Sequence, residues 1–236
     1  GGIDLALLVV AADEGVMPQT EEHLAILDLL RIKRGVVALT KKDLVEEDWL
    51  EMVGDDLREH LKGTVLEAAP LVAVSAVSGE GLPQLRTALD QLLADTEPKV
   101  DRGRPRLPID RVFTIAGFGT VVTGTLSDGR LPLGQEVEVL PRGLKSRVRG
   151  LQTHKHKVEV AVPGSRVAVN LVGLATTDIQ RGDVLTTPRW LSPTKVVDVR
   201  LRLLRGAPKP LPHNATVSFH VGAAETMAKV ALLDKA

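Results

Sequence analysis

Cysteine is missing from all 236 residues, which excludes a disulfide scaffold and a thiolate metal site and fits a reducing compartment. Aromatic residues make up only 2% of the chain, too few for a surface that grips nucleic acid by stacking on its bases. No apolar run approaches the roughly 20 residues a membrane-spanning helix needs. The chain opens Gly1-Gly2-Ile3-Asp4, without an initiator Met, a basic signal-peptide start or an Arg-rich amphipathic leader. These absences predict a soluble cytoplasmic protein with no membrane partner. For the chemistry, the gap that matters most is a phosphate loop. No segment has the form G-x-x-x-x-G-K-[ST], whose backbone cradles phosphates and whose hydroxyl binds a metal ion.

Net charge is also absent, at a formal value of zero, but the balance is uneven along the chain. Residues 1–97 carry 8 Lys+Arg against 19 Asp+Glu, and residues 98–236 carry 22 against 11. An acidic front joined to a basic back suggests that the back half faces a polyanion. Charge scattered over every face for solubility is the plainer alternative.

The apolar content of 44% is enough to bury more than one core, so two or three domains are expected. Asp4–Val10, Gly35–Thr40 and Pro70–Val74 are near-continuous apolar runs, the pattern of parallel strands buried on both faces. Helical spacing lies between and after them. Thr20 is placed to cap a helix carrying Leu24, Leu27 and Leu30. Leu50, Val53, Leu57 and Leu61 share a second face, and Leu85, Leu89 and Leu92 a third. The reading for residues 1–97 is β-α-β-α-β-α, the C-terminal half of a doubly wound α/β nucleotide-binding domain. Residues 98–106 read as a Pro-rich, charged linker. Residues 107–190 carry short Val/Ile/Thr-rich stretches broken by Asp128-Gly129, Pro141-Arg142-Gly143, Pro163-Gly164 and Arg181-Gly182-Asp183, which predicts an all-β domain, closed into a barrel. Residues 193–236 read as the start of a second, truncated β-barrel, with strands over Lys195–Leu204, Ala215–Val221 and Met227–Leu233.

In open α/β sheets ligands sit at the carboxyl ends of the strands, where Thr40-Lys41-Lys42-Asp43 and Ser75-Ala76 both fall. Reading guanine over adenine requires a carboxylate that accepts from the ring N–H and the exocyclic amine, and a backbone N–H that donates to O6. Asp43 suits the first task and the Ser75-Ala76 backbone the second, with the aliphatic stem of Lys41 laid over the base. The wrong base leaves the buried carboxylate unpaired, a penalty of about 1–3 kcal/mol or more. A polar loop with a helix cap at Asp43 is the alternative.

In the back half, Arg142, Lys145, Arg147, Arg149, Lys155 and Lys157 occur within one segment that contains no acidic residue. Cations alternating along strands suit RNA phosphates, and a solvated strand face is the alternative. His154 and His156 fall at the spacing that puts two imidazoles on one strand face, but no third ligand is evident and no metal site is expected.

Particular strings add a resemblance. Gly1–Asp4 through Val9-Val10-Ala11-Ala12-Asp13-Glu14-Gly15-Val16-Met17-Pro18-Gln19-Thr20, then Glu22-His23, is similar to the stretch after the second switch of translational GTPases in the elongation-factor-Tu group. Leu107-Pro108-Ile109-Asp110-Arg111-Val112-Phe113 and Gly117-Phe118-Gly119-Thr120-Val121-Val122-Thr123-Gly124-Thr125 resemble the second domain of selenocysteine-specific elongation factors. The likeness covers essentially the whole chain.

The resemblance implies a monomeric elongation factor that binds GTP and GDP, with Mg2+ in the intact factor. Such a factor carries selenocysteyl-tRNA to the ribosome for decoding at UGA. It maps the guanine site onto Thr40, where many relatives have Asn, and onto Lys41, Asp43, Ser75 and Ala76. It maps the selenocysteine pocket onto Asp110, Arg111 and Arg166. The chemistry is coherent: a selenol is ionised at neutral pH, and two guanidiniums favour an anion over a neutral side chain. The six cations of residues 142–157 become candidates for tRNA phosphates. The family's phosphate loop, first switch and Asp-x-Pro-Gly-His string would precede Gly1. Its winged-helix modules, which read the messenger RNA hairpin, would follow Ala236. The chain is therefore expected to be a central portion that does not hydrolyse GTP by itself. Two other readings stay open: another aminoacyl-tRNA-delivering or initiation GTPase, and a non-catalytic RNA-binding β-barrel module.

Overall fold

The structure is a computed structural model that describes residues 3–32, 34–96, 101–203 and 209–233. The chain divides into two compact units, one of residues 3–97 and one that includes residues 98–236.

The first unit alternates strand and helix: β1 (Ala6–Ala11), α1 (Pro18–Leu29), β2 (Gly35–Thr40), α2 (Glu47–Leu61), β3 (Leu71–Ala73) and α3 (Leu82–Ala94). The three strands form a parallel sheet in the order β1-β2-β3. Parallel neighbours need a crossover between them, which is the role of α1 and α2. Leu8, Val10, Val37 and Leu39 of the sheet pack with Leu24 of α1 and with Leu50, Val53, Leu57 and Leu61 of α2. The sequence expectation for α2 holds residue by residue. Val36 and Ala38 of β2 are also buried, so the central strand is covered on both faces, with α3 beside it.

β1 differs from its expectation. It alternates, with Leu7 and Val9 at 46% and 57% exposure, so it is buried on one face only. The reason is coverage: the helices of this unit that face β1 pack against Leu8 and Val10. Thr20 is corrected too. It is the third residue of α1, not the cap, and its hydroxyl accepts the Met17 N–H at 3.2 Å; Pro18 opens the helix with a φ already suited to it.

In the second unit the barrel is built from β4 (Arg106–Ile115), β5 (Gly119–Thr125), β6 (Leu131–Pro132), β7 (Glu136–Leu140), β8 (Leu144–Thr153), β9 (His156–Lys157), β10 (Val160–Ala161), β11 (Arg166–Leu171) and β12 (Val184–Thr186). Six of them close on themselves in the order β11-β5-β4-β12-β7-β8, with β8 paired back to β11. Closure leaves no edge in the ring. Inward positions Leu107, Ile109, Val122, Val137, Val139, Val148, Leu151, Val167, Val169 and Leu185 fill the interior. Gly124 lies opposite Ile109, and a Cβ there would stand 2.2 Å from the Pro108 carbonyl oxygen, so only glycine lets β4 approach β5 this closely.

After the barrel the Arg104 guanidinium lies 4.3 Å above the Trp190 ring, which ties the segment entering β4 to the one leaving β12. Beyond it, β13 (Ala215–Val221) and β14 (Ala224–Val230) form an antiparallel hairpin. The third strand expected over Lys195–Leu204 is not formed in its described part, residues 195–203. Among the described residues no ladder partner meets it, and Val196 is 80% exposed. Leu204 lies outside the described residues. The last expected strand also starts three residues earlier, at Ala224, because the tight turn at Gly222 sets the hairpin register. No helix among the described residues is long and apolar enough to cross a membrane.

Candidate functional site

In the first unit, three loops meet at the carboxyl ends of β1, β2 and β3. The main chain binds them together: Ala12 N–H donates to the Thr40 carbonyl at 2.8 Å, Val74 N–H to that of Leu39 at 2.8 Å, and Lys42 N–H to that of Val74 at 3.2 Å. The Thr40 hydroxyl donates to the Val10 carbonyl at 3.2 Å, so the shorter side chain still braces the loop against β1. Lys41 then takes a left-handed conformation (φ 60°, ψ 33°), after which Lys42–Leu44 form one 3-10 turn. The Asp43 carboxylate is exposed and, among the described residues, meets no donor or cation.

Ser75 is fully buried and organises the third loop. Its Oγ accepts the Val77 and Ser78 N–H groups at 3.2 and 3.0 Å, and its own N–H donates to the Glu80 carbonyl at 2.9 Å. Gly81 completes the turn at φ +75°, where a Cβ would stand 2.1 Å from the Ala73 carbonyl oxygen. The two residues read jointly from sequence therefore separate. The Ser75 N–H is already engaged, whereas that of Ala76, among the described residues, meets no acceptor. An unpartnered carboxylate and an unpartnered N–H on neighbouring loops are the two groups a guanine edge requires.

Sequence reasoning missed the acids that hold the lysines. Lys41 Nζ lies 2.9 Å from Asp13 Oδ2 and 2.9 Å from Glu14 Oε1, and Lys42 Nζ lies 2.6 Å from Glu80 Oε1. The hydrogen bonds to Asp13 and Glu14 raise the Lys41 pKa above its ordinary value, and the bond to Glu80 raises that of Lys42. The only sequence signal was an acidic pair directly after the first apolar run.

On the barrel, β4 carries a bulge: Ile109 opposes Gly124 and Arg111 opposes Thr123, leaving Asp110 between them. The bulge shifts the alternation by one residue. Ile109 and Val112 both face the core, and Asp110 and Arg111 both stay off it. Arg166, the first residue of β11, reaches Asp110 in a two-pronged ion pair, Nη1 to Oδ2 at 2.6 Å and Nη2 to Oδ1 at 3.1 Å. The Thr123 hydroxyl donates to Asp110 Oδ1 at 2.8 Å. Burial pushes the Asp110 pKa up, but the Arg166 and Thr123 hydrogen bonds and the nearby charges of Arg166 and Arg111 outweigh it and hold the carboxyl below its ordinary value. The bond to Asp110 in turn raises the Arg166 pKa. Thr123 was missed in the sequence: a hairpin register counted from Gly117 sets it opposite Arg111, and only the bulge brings Asp110 within its reach.

The basic segment is less uniform than its composition. Lys145, Arg147 and Arg149 do sit exposed at alternate positions of β8. Across the ladder, however, Glu136 opposes Arg147, with Nη2 to Oε1 at 3.6 Å, and Glu138 opposes Lys145. Arg142 is the most engaged of the six: it pairs with Asp183 at 3.0 Å, and that carboxylate is only 8% exposed, so Arg142 braces the barrel wall. His154 and Lys155 lie in the turn between β8 and β9 with positive φ, and His156 and Lys157 form β9, so the two imidazoles do not share one strand face. Lys145, Arg149, Lys155 and Lys157 form no ion pair among the described residues. No group of three His, Asp or Glu among those residues is placed to hold a metal ion.

Comparison with known proteins gives a consistent result. The sequence model of the elongation factor Tu GTP binding domain matches residues 2–95, and that of elongation factor Tu domain 2 matches residues 119–186. The selenocysteine-specific elongation factor of Desulfomicrobium baculatum is 51% identical over 99% of this chain and 37% of its own length. That of Escherichia coli is 37% identical over 99% of this chain and 37% of its own. Elongation factor Tu 2 of Streptomyces avermitilis is 32% identical over 98% of this chain and 62% of its own. Among solved structures, a bacterial selenocysteine-specific elongation factor aligns with a TM-score of 0.85 at 31% identity, covering 99% of this chain and 39% of that one. Elongation factor SelB of Methanococcus maripaludis, bound to the GTP analogue GppNHp, aligns with a TM-score of 0.84 at 31% identity, covering 96% of this chain and 51% of that one. The chain thus spans a little over a third of the length of the selenocysteine-specific relatives it matches.

Proposed function

This chain belongs to the selenocysteine-specific elongation factors of the elongation-factor-Tu group, and from that premise we propose that it supplies the guanine-reading loops and the aminoacyl-recognising barrel of a GTP-dependent factor that delivers selenocysteyl-tRNA to the ribosome. Asp43 takes the N1–H and exocyclic amine of guanine, the Ala76 N–H takes O6, and Ser75 shapes the loop that presents it. Thr40 braces the turn and the stem of Lys41 covers the base. GTP and GDP are the nucleotides such a site accepts.

The observation that carries the selenocysteine reading is the meeting of Asp110, Arg111 and Arg166 on one side of the barrel, through a bulge in β4 and an ion pair across strands. A selenolate beside two guanidiniums gains charge-assisted contacts that a serine hydroxyl does not. Asp110 fixes the Arg166 fork in place, and its remaining acceptor capacity suits an aminoacyl ammonium. The exposed cations Lys145, Arg147, Arg149, Lys155 and Lys157 fit tRNA phosphates, with Arg147 weakened by Glu136 and Arg142 more so by its bond to Asp183.

The test is tRNA binding by the full-length protein. Arg166→Ala is expected to weaken selenocysteyl-tRNA binding by roughly tenfold or more, the size of a lost charged hydrogen bond, with seryl-tRNA little affected. Equal losses for the two tRNAs would remove Arg166 from the pocket.

A further inference from the structure

The turn that carries Asp43 is gripped on both sides by acids that no motif assigns. Strand order β1-β2-β3 puts the turn after β2 in the middle of three loops. Its two consecutive lysines leave in opposite directions because Lys41 is left-handed. Lys41 reaches Asp13 and Glu14 after β1, and Lys42 reaches Glu80 after β3. The backbone bonds Ala12 to Thr40 and Lys42 to Val74 pin the strand ends, but they stop short of the loop tips. The ion pairs extend that connection outward, to the two lysines before Asp43 and to Glu80, whose carbonyl accepts the Ser75 N–H beside Ala76.

We propose that Asp13, Glu14 and Glu80 are positioning residues for guanine: the first two stretch the Lys41 stem across the base site from its far end, and Glu80 sets the Asp43 turn against the Ala76 loop. This rests on the guanine reading given above. The physical gain is preorganisation. A lysine stem already extended, and two loops already in register, lose less conformational freedom when the base arrives. Exposed ion pairs are individually weak and screened by salt, so the effect on nucleotide release is a factor of about three for each side.

The experiment is dissociation of a fluorescent GDP analogue from the full-length protein. Glu80→Gln, and separately Asp13→Asn with Glu14→Gln, should each speed release about threefold at low salt, and the difference should fade near 1 M salt, where the screening length is about 3 Å. Exchanging the charges, Lys42→Glu with Glu80→Lys, should restore the slow rate, which a variant that merely misfolds would not do. Unchanged release rates, or faster rates that the exchange fails to restore, would overturn the brace. Asp43→Asn measured alongside separates the two ideas: if it keeps its guanine preference, the base site itself is wrong and the brace falls with it. If it loses that preference while the acid variants release GDP normally, only the brace falls.

Discussion

The two units hold their candidate charged groups in opposite ways. In the α/β unit the candidate groups stand at the tips of loops, and the residues that matter are nearly contiguous: Thr40 to Asp43, then Ser75 and Ala76. Their ion pairs are exposed and cross between loops. In the barrel the candidate groups stand on strands, and the central pair, Asp110 with Arg166, joins residues 56 apart in sequence. A parallel sheet collects its loops at one end, so a short string can carry a site. A closed barrel has no such end-loop rule, so its site depends on register.

The sharpest way to break this contrast is Asp43→Asn in the full-length protein. If the loop site is as compact as a few contiguous residues, that one change should lower affinity for GDP by about a hundredfold, the worth of a two-pronged charged hydrogen bond, and favour xanthosine diphosphate. Unchanged GDP affinity would mean that the exposed carboxylate is only a solvated loop residue.

A smaller effect sharpens the barrel side. Arg142→Ala strips the partner from a nearly buried carboxylate at Asp183, which keeps the Gln180 N–H as a donor. It should cost about 1–3 kcal/mol of stability in thermal or urea unfolding, while tRNA binding stays close to normal. Arg149→Ala should do the reverse, leaving stability unchanged and lowering the salt slope of tRNA binding by about one. If the two variants behave alike, the division of the basic segment into wall and surface residues is wrong.

The smallest effect concerns pH. The folded-state pKa of Asp110 is depressed, so its contribution to stability is present above the unfolded carboxyl value near 3.8 and is lost as pH falls through the lower, folded value. The stability difference between the protein and Asp110→Asn should therefore be flat from pH 8 to about pH 5 and shrink only in acid. A change between pH 6 and 8 would point to a group other than Asp110.

Much of the fold was legible in the chain. The buried run Gly35–Thr40 reads as a strand covered on both faces and is bounded as written, and the Leu50-Val53-Leu57-Leu61 face lands whole in the core. What failed had a common cause. Lys195–Leu203 alternates like a strand, yet alternation supplies only side-chain placement, and a ladder needs a partner that a local pattern cannot reveal. The basic segment likewise contains no acid of its own, but Glu136, Glu138 and Asp183 reach it across strands.

The sequence by itself determined the α/β-then-β order, the apolar face of α2, the buried strand β2, the family, and the candidate groups for guanine, because periodicity and short motifs are local properties. Tertiary structure decided which of those groups are free. It engaged the Ser75 N–H and left that of Ala76 open, bound Arg142 to Asp183, and turned Asp110 outward beside Arg111 at a bulge to receive Arg166. Each of those outcomes depends on a partner placed by strand register or loop closure, and such partners are neighbours in space rather than along the chain.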